Sequence, residues 1–561
     1  MYDGGVTETI KRPTRTLATG AWADGDRTPL NANEAFKQAD DALNVRQRVL
    51  EVYAKEGFAS IPADDLRGRL RWMGLYTQRK EGIDGGQTAT LAPEELDAEF
   101  FMMRVRSDGG RLTTDQLRAI GSISTDFGRD TADISDRQNI QLHWIRIEDV
   151  PAIWERLEAV GLDSMEACGD APRVILGSPV AGIAADELID GTPALEEIKR
   201  RFIGSPEFSN LPRKFKAAIS GSPALDVVHE INDVSFVGVR HPELGVGFDV
   251  WVGGGLSTNP IFAQRLGAFV TLDQVPQVWA GVIGIFRDYG YRRLRNKARL
   301  KFLMADWGPA KFRAVLQDEY LGFALPDGPA PTEPAGGRRD HVGIHPQRDG
   351  KVWVGGAPIA GRVSGSILTA LADLAEAYGS HRVRLTPQQK FLILDVAPER
   401  AAALAGELAA YDIIVEPSEF RRNVLACTGI EYCKLALTET KARARTVVLE
   451  LERRRPGFDS PLAIHVNGCP NACARTQLGD IGLKGMVHRS EDDELEEVFQ
   501  VHLGGGLGAS PSLARKTRAL KVSAEDLPDY IERVTGRYLE QRGAGESFGL
   551  WAHRADEEDL R

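Results

Sequence analysis

The chain has 561 residues, 42% of them hydrophobic, with 80 acidic against 69 basic side chains and a formal net charge of −11. That is enough apolar material for two to four domains, while the acidic balance argues against general nucleic-acid binding. No apolar run reaches the length a membrane span needs. The start, Met1-Tyr2-Asp3-Gly4-Gly5, lacks the basic-then-apolar pattern of a secretory signal. Five cysteines without disulfide-type spacing fit a reducing compartment, so a cytoplasmic location is expected.

Along the chain, residues 1–60 read as an arm, polar at first and helical from about 33 to 57. Residues 101–106 alternate as a strand, Gly109 and Gly110 turn, 114–128 have helical spacing, and 140–145 alternate again. Residues 326–337, rich in Pro and Gly, form the clearest linker. Two basic runs stand out, at 292–301 and 453–455. The first interleaves cations with Leu294, Leu300 and Phe302, so part of it is expected to face a pocket.

The two sides of the linker repeat each other. Residues 248–260, with Gly253-Gly254-Gly255-Leu256, match 499–511, with Gly504-Gly505-Gly506-Leu507. At the same offset Gly110-Arg111-Leu112 matches Gly361-Arg362-Val363, and Arg137-Gln138 falls opposite Gln388-Gln389. Ile219 to Pro223 falls opposite Val466 to Pro470 at a slightly smaller offset, placing Ser222 where the second copy has Cys469. The chain therefore reads as an internal duplication, each half carrying a ferredoxin-like αβ unit and then a larger one. Only one copy keeps its cysteines.

Four of the five cysteines lie in two close pairs, Cys427 with Cys433 and Cys469 with Cys473. Four thiolates are a full ligand set for an iron–sulfur cluster or a structural zinc, and ligand type alone does not choose between them. Four unrelated buried thiols are the blander reading. The Gly and Pro around the second pair favour a tight turn that aims backbone N–H groups at sulfurs.

Cys-x5-Cys followed by Asn467-Gly468-Cys469-Pro470-Asn471-Ala472-Cys473 resembles the cluster signature of the sirohaem sulfite and nitrite reductases. The resemblance covers residues 60 to 540. It implies that Cys427, Cys433, Cys469 and Cys473 hold a 4Fe–4S cluster and that Cys473 also ligates the sirohaem iron. It also implies an α+β, pseudo-twofold fold, with paired ferredoxin-like half-domains and two larger αβ domains around a sirohaem. The expected boundaries are 1–60 for the arm, 61–165 and 341–416 for the half-domains, 166–325 and 417–561 for the larger domains, and 326–340 for the linker.

Four basic residues match the substrate positions of that family: Arg104, Arg173, Lys214 and Lys216. Guanidinium pairs with oxyanions bidentately and ammonium acts as a point charge. Lys214 and Lys216, two apart in an extended segment, point to one side, and they can also donate protons. Arg137, Gln141 and His143, read as one face of a strand, resemble a segment that contacts sirohaem carboxylates; Asn296, Arg299 and Lys301 resemble a second. Tyr76 and Cys168 resemble a pair that some members join covalently beside the sirohaem.

Gly504 to Ala509 formally fits a dinucleotide fingerprint, but its twin breaks the pattern at Thr258, and no flavin or NADPH module is evident. The resemblance then implies a reduced ferredoxin as donor, guided by a basic patch such as 453–455, sulfite as substrate and a monomer. Nitrite is the alternative substrate. Lys216 favours sulfite, because nitrite enzymes of the family tend to carry an amide there. An iron–sulfur carrier or zinc-stabilised binding protein is the reading from another class.

Overall fold

The computed structural model describes residues 30–335, 337–489, 495–508 and 511–561. Residues 1–29 of the arm, Gly336 of the linker and Ala509 of the fingerprint lie outside the described residues. Among those described, no helix is long and apolar enough to cross a membrane.

Two five-stranded antiparallel sheets form the half-domains. The first runs Leu75–Arg79, Asp97–Val105, Ile140–Ile145, Ala132–Ile134 and Arg362–Val363 in spatial order. The second runs Gly343–Pro346, Val352–Gly356, Phe391–Val396, Arg382–Leu385 and Arg111–Thr113. Each sheet thus ends on a short strand given by the other half, with Arg362 opposite Asp133 in one and Arg111 opposite Arg384 in the other. The exchange closes one edge of each sheet, which would otherwise template pairing with other chains.

The helices that follow the exchanged strands pack on each other across the pseudo-twofold axis. Thr114–Phe127 starts at Thr113, whose side chain accepts from Gln116 N–H while Gln116 returns a bond to the Thr113 N–H. Gly365–Ala377 starts at Ser364. Gly121 makes the contact possible: a β-carbon there would sit 2.6 Å from the Gly365 carbonyl oxygen. Both half-domains and the arm share one core, in which Phe36, Val45 and Tyr53 join Phe101, Ile120, Leu142, Leu368, Ile393 and Leu404.

The two larger domains repeat one mixed sheet. Leu176–Gly177, Ala217–Ser220 and Val234–His241 run parallel, and Gly245–Val252 and Gln264–Val270 complete the sheet antiparallel. Val424–Ala426, Ile464–Asn467, Ile481–Arg489, Leu495–Leu503 and Arg515–Ser523 follow the same order and senses. The strand ends of the two domains meet in a small apolar cluster containing Leu176, Ala218, Val228 and Leu256 from one and Ala472 and Leu478 from the other.

Three features read from sequence take a different form here. Arg137 precedes the strand Ile140–Ile145, in a turn where Gln138 has φ 57°, so only Gln141 and His143 share its pleat. The basic run at 292–301 is largely engaged within the protein: Arg292 pairs with Glu34, Arg295 with Asp170 and Arg299 with Asp233. Arg453 and Arg454 are likewise engaged, with Glu450 and, for Arg454, also Asp529 and Glu532.

Candidate active site

Cys427 leaves the strand Val424–Ala426 and Cys469 and Cys473 leave its neighbour Ile464–Asn467, so parallel pairing brings the two cysteine loops together at one sheet end. Left-handed backbone at Gly429, Ala472 and Arg475 bends both loops tightly. The bends aim N–H groups at sulfur. Gly468 N–H lies 3.3 Å from Cys427 Sγ, with Gly429 N–H also directed at it. Leu435 and Ala436 N–H address Cys433, and Asn471 N–H addresses Cys469.

Burial, then the neighbouring Cys473, pushes the Cys427 thiol up to about 12, and burial and the same neighbour raise Cys469 as well. Cys427, Cys433 and Cys469, each held above the ordinary thiol value, fit a ligand set lacking its positive centre, since a bound metal deprotonates coordinating thiols. Among the described residues no three His, Cys, Asp or Glu side chains are gathered tightly enough for a single metal ion. Four thiolates suit a cubane, whose irons each take one. The buried Asn467 amide also fits: its oxygen accepts from Ala474 N–H at 2.7 Å and its Nδ2 has no protein partner.

The first half-domain braces the cysteine loops. Arg79 N–H donates to Tyr432 O at 2.8 Å, and its guanidinium reaches Ala436 O at 3.2 Å. Lys434 is held by Thr77 and Asp97. Tyr432 stacks on His143, ring centroids 3.8 Å apart, and His143 Nε2 lies 3.0 Å from Asp133 Oδ2. Asp133 is also paired with Arg362 and Lys441; burial would raise its pKa, but these cations hold it well below the usual carboxylate range. His143 is therefore engaged as a brace for the loop.

Beside Cys473 the cations converge. Arg104 and Gln141 are direct cross-strand partners on one sheet face. The side chains of Arg104, Lys214 and Lys216 make no hydrogen bond or ion pair to any described residue, although all three are at least half-buried. Burial first, then Lys216 and Arg299, lowers Lys214 well below its ordinary value; burial and Arg137 bring Lys216 to about 7. Cys473 partly offsets both, so its thiol lies near these cations. Cys168, Tyr76 and Asp136 surround the Arg104 guanidinium, so Tyr76 and Cys168 share one neighbourhood.

Other expected residues are more fully engaged by the protein. Arg173 is held by Gly169 O at 2.9 Å and Ala167 O at 3.2 Å. Arg137 bonds Asn232 Oδ1 at 3.0 Å and Val174 O at 2.6 Å. Lys301 is buried and clamps the first glycine loop through Leu256 O at 2.8 Å and Gly255 O at 3.3 Å. Arg299 approaches the same loop, where a β-carbon on Gly255 would meet its Nη2 at 3.2 Å. Asn296 is exposed, in a single 3₁₀ turn, Arg295–Lys297.

Sequence reasoning missed Asp136 and Arg475. Arg475 donates to Asp136 O at 2.9 Å and Pro387 O at 2.7 Å. Burial would raise the Asp136 pKa, but Arg475, Lys216, Arg137 and Arg104 outweigh it and keep the group ionised. One carboxylate among this many cations leaves a strongly electropositive cluster, suited to a polycarboxylate cofactor and an oxyanion.

Residues 168–325 and 418–561 match the family model described as the nitrite and sulphite reductase 4Fe–4S domain, and 94–160 and 345–411 match the nitrite/sulfite reductase ferredoxin-like half domain. The chain belongs to the nitrite and sulphite reductase family. Within that family it is 57% identical over 557 residues to sulfite reductase (ferredoxin) 1 of Mycolicibacterium paratuberculosis, covering 99% of this chain and 100% of the relative. It is 36% identical to the assimilatory ferredoxin-dependent nitrite reductase of Haloferax mediterranei, covering 90% and 88%. The solved structure of Mycobacterium tuberculosis NirA protein superposes with a TM-score of 0.94 at 55% identity, covering 98% of this chain and all of that one. The duplicated α+β fold and the 4Fe–4S domain are those of this reductase family.

Proposed function

We propose that this protein is a ferredoxin-dependent assimilatory sulfite reductase that takes sulfite to sulfide by six electrons. The observation that carries the reading is the set of three cations near Cys473, Arg104, Lys214 and Lys216, whose side chains have no partner among the described residues. In this reading Cys427, Cys433, Cys469 and Cys473 would hold the cluster, Cys473 would also ligate the sirohaem iron, and Arg104, Arg137, Gln141, Arg299 and Arg475 would hold the sirohaem carboxylates. When bound, this pair of cofactors supplies electrons to the sulfur of the substrate.

The chain's own residues bind the anion and move protons. Arg104 and Arg173 fix the oxygens of sulfite, and Lys214 and Lys216 stabilise charge developing on them as S–O bonds break. Burial tunes Lys216 to about 7, so its Nζ can give up a proton and regain it near neutral pH. Lys301 acts one step back, holding the glycine loop. Tyr76 and Cys168 both lie near Arg104, and we assign them as a cross-linked pair; a free Cys168 thiol in peptide maps of active enzyme refutes that assignment.

We read the protein as a monomer and, since none of its cysteines is in a disulfide, as cytoplasmic. The donor is a small acidic ferredoxin. The run at 453–455 is a poor docking patch, because Arg453 and Arg454 are already paired with carboxylates. Likeness to nitrite reductases keeps nitrite as the second reading. The deciding experiment compares kcat/KM for sulfite and nitrite with reduced ferredoxin in wild type and Lys216→Asn. Sulfite preference that falls about 10²–10³-fold in the variant, with chromophore intact, is expected from loss of one charge-stabilising donor. Preference of the wild type for nitrite overturns the substrate assignment.

A further inference from the structure

The two strand exchanges differ in a way that the catalytic site does not explain. In one, the incoming Arg362 lies directly opposite Asp133, and they pair with Nε to Oδ1 at 2.7 Å. In the other, the incoming Arg111 lies directly opposite Arg384. Like charges directly opposite on a sheet are destabilising, and the position that repeats Asp133 has reversed its sign.

Arg384 is 5% exposed and its side chain has no hydrogen bond or ion pair to any described residue; its Nε is fully buried and unmatched. It lines a cavity of about 300 Å³ with Arg111, Lys199, Arg382, Arg106, Asp108 and Glu196. The acids there are taken: Asp108 accepts both arms of Arg106 at 2.7 and 3.0 Å, and Glu196 accepts from Arg111 at 2.6 Å. Arg382 is held by Asp395. Burial, then Arg111 and Arg382, draws Arg384 down to about 9, with Asp395 and Asp190 too weak to offset them. Buried charges are paired or they are costly.

We propose that this cavity, between the strands Arg111–Thr113 and Arg382–Leu385 and the helix Thr192–Phe202, is a second anion site that binds a phosphate- or sulfate-type oxyanion on the Arg384 guanidinium. Planar guanidinium and tetrahedral oxyanion match bidentately. The volume exceeds what a bare oxyanion needs and reaches the lower range of small-molecule sites, so the anion is either free or the head group of a phosphorylated small molecule. The site shares no residue with the catalytic cations, and its failure would leave the catalytic reading untouched.

The test is calorimetric titration of the holoenzyme at constant ionic strength with inorganic phosphate and, separately, glycerol phosphate. We expect saturable binding of at least one, weakened about tenfold or more in Arg384→Met, as for loss of a charged hydrogen-bonding pair, and retained in Lys216→Met. Tighter glycerol phosphate identifies a phosphorylated small molecule as the ligand class; tighter inorganic phosphate identifies the free ion. Absence of binding by both probes, or equal affinity in Arg384→Met, overturns the proposal. If that variant does not fold, a selenate soak of wild-type crystals decides: an anomalous peak within hydrogen-bond distance of Arg384 supports the site, and an empty cavity overturns it.

Discussion

The cysteine site and its counterpart in the first half are built on one backbone and filled with opposite chemistry. Ser178 follows Gly177 as Cys427 follows Ala426, and both preceding residues occupy the same register beside Ile219 and Val466. With the equal spacing of the repeat, Ser178, Ala184, Ser222 and Asp226 stand where Cys427, Cys433, Cys469 and Cys473 stand. Left-handed Leu225 and Val228 repeat Ala472 and Arg475. Gln138 clasps the N–H and C=O of Gly177 as Gln389 clasps those of Ala426, at 2.9–3.1 Å.

What differs is how the space is filled. Asp226 accepts from Ser178 at 2.7 Å and Ser220 at 2.9 Å, and His341 Nε2 lies 2.8 Å from it. Where the first sheet presents Met102, Gln141 and His143, the second presents Trp353, Leu392 and Leu394, packed on Val180, Ile183 and Ala184. Arg104 is replaced by Gly355. The counterpart closes itself with protein atoms; the cysteine site leaves thiols, an amide and cations unmatched. A site awaiting a cofactor thus shows itself as clustered polarity without partners, where its counterpart fills the matching positions with protein atoms.

The largest effect should come from giving the cysteine site its counterpart's chemistry. Cys473→Ser should lose chromophore and cluster iron together and lower sulfite reduction by more than about 10³-fold, read by visible absorption and assay. Asp226→Ala leaves Ser178, Ser220 and His341 without their buried acceptor. It should destabilise by about 3 kcal/mol in thermal or urea unfolding, with turnover per folded holoenzyme unchanged. Altered turnover would mean that the counterpart is not merely structural.

Acid should strike both large domains. Burial holds His229 and His465 at about 4, below their ordinary value. The unfolded chain therefore takes up protons first, and stability present above about pH 6.5 is lost as pH falls toward 4, on the order of 2–3 kcal/mol for each histidine. An unfolding midpoint flat from pH 7 to 4.5 would contradict this. The smallest effect is expected from the glutamine clasps: Gln138→Ala and Gln389→Ala should each cost about 1–2 kcal/mol, and only Gln389→Ala should speed loss of iron to a chelator.

The meeting of the two cysteine pairs and the duplication were legible in the sequence because their signals are local: short cysteine spacings and glycine loops at a constant offset. The strands at 101–106 and 140–145 were legible by alternation. The strand exchange was not, since Arg111–Thr113 and Arg362–Val363 are too short to carry a period and their partners lie in the other half. Charge was read least well. Arg295, Arg299 and Lys301 look free in a basic run, yet Asp170, Asp233 and backbone carbonyls claim them across long sequence separations. Arg475 and Arg384 carry no motif, and their neighbours Asp136 and Arg111 meet them only once the halves are assembled.

The most direct test of the account is the iron and sirohaem content of the purified protein, by metal analysis and visible absorption. One sirohaem and one 4Fe–4S cluster, about five irons per chain, is the prediction, unchanged in Asp226→Ala and lost in Cys473→Ser. A colourless protein, or two sirohaems per chain, would contradict the claim that one of two matched sites holds the cofactors and the other fills itself.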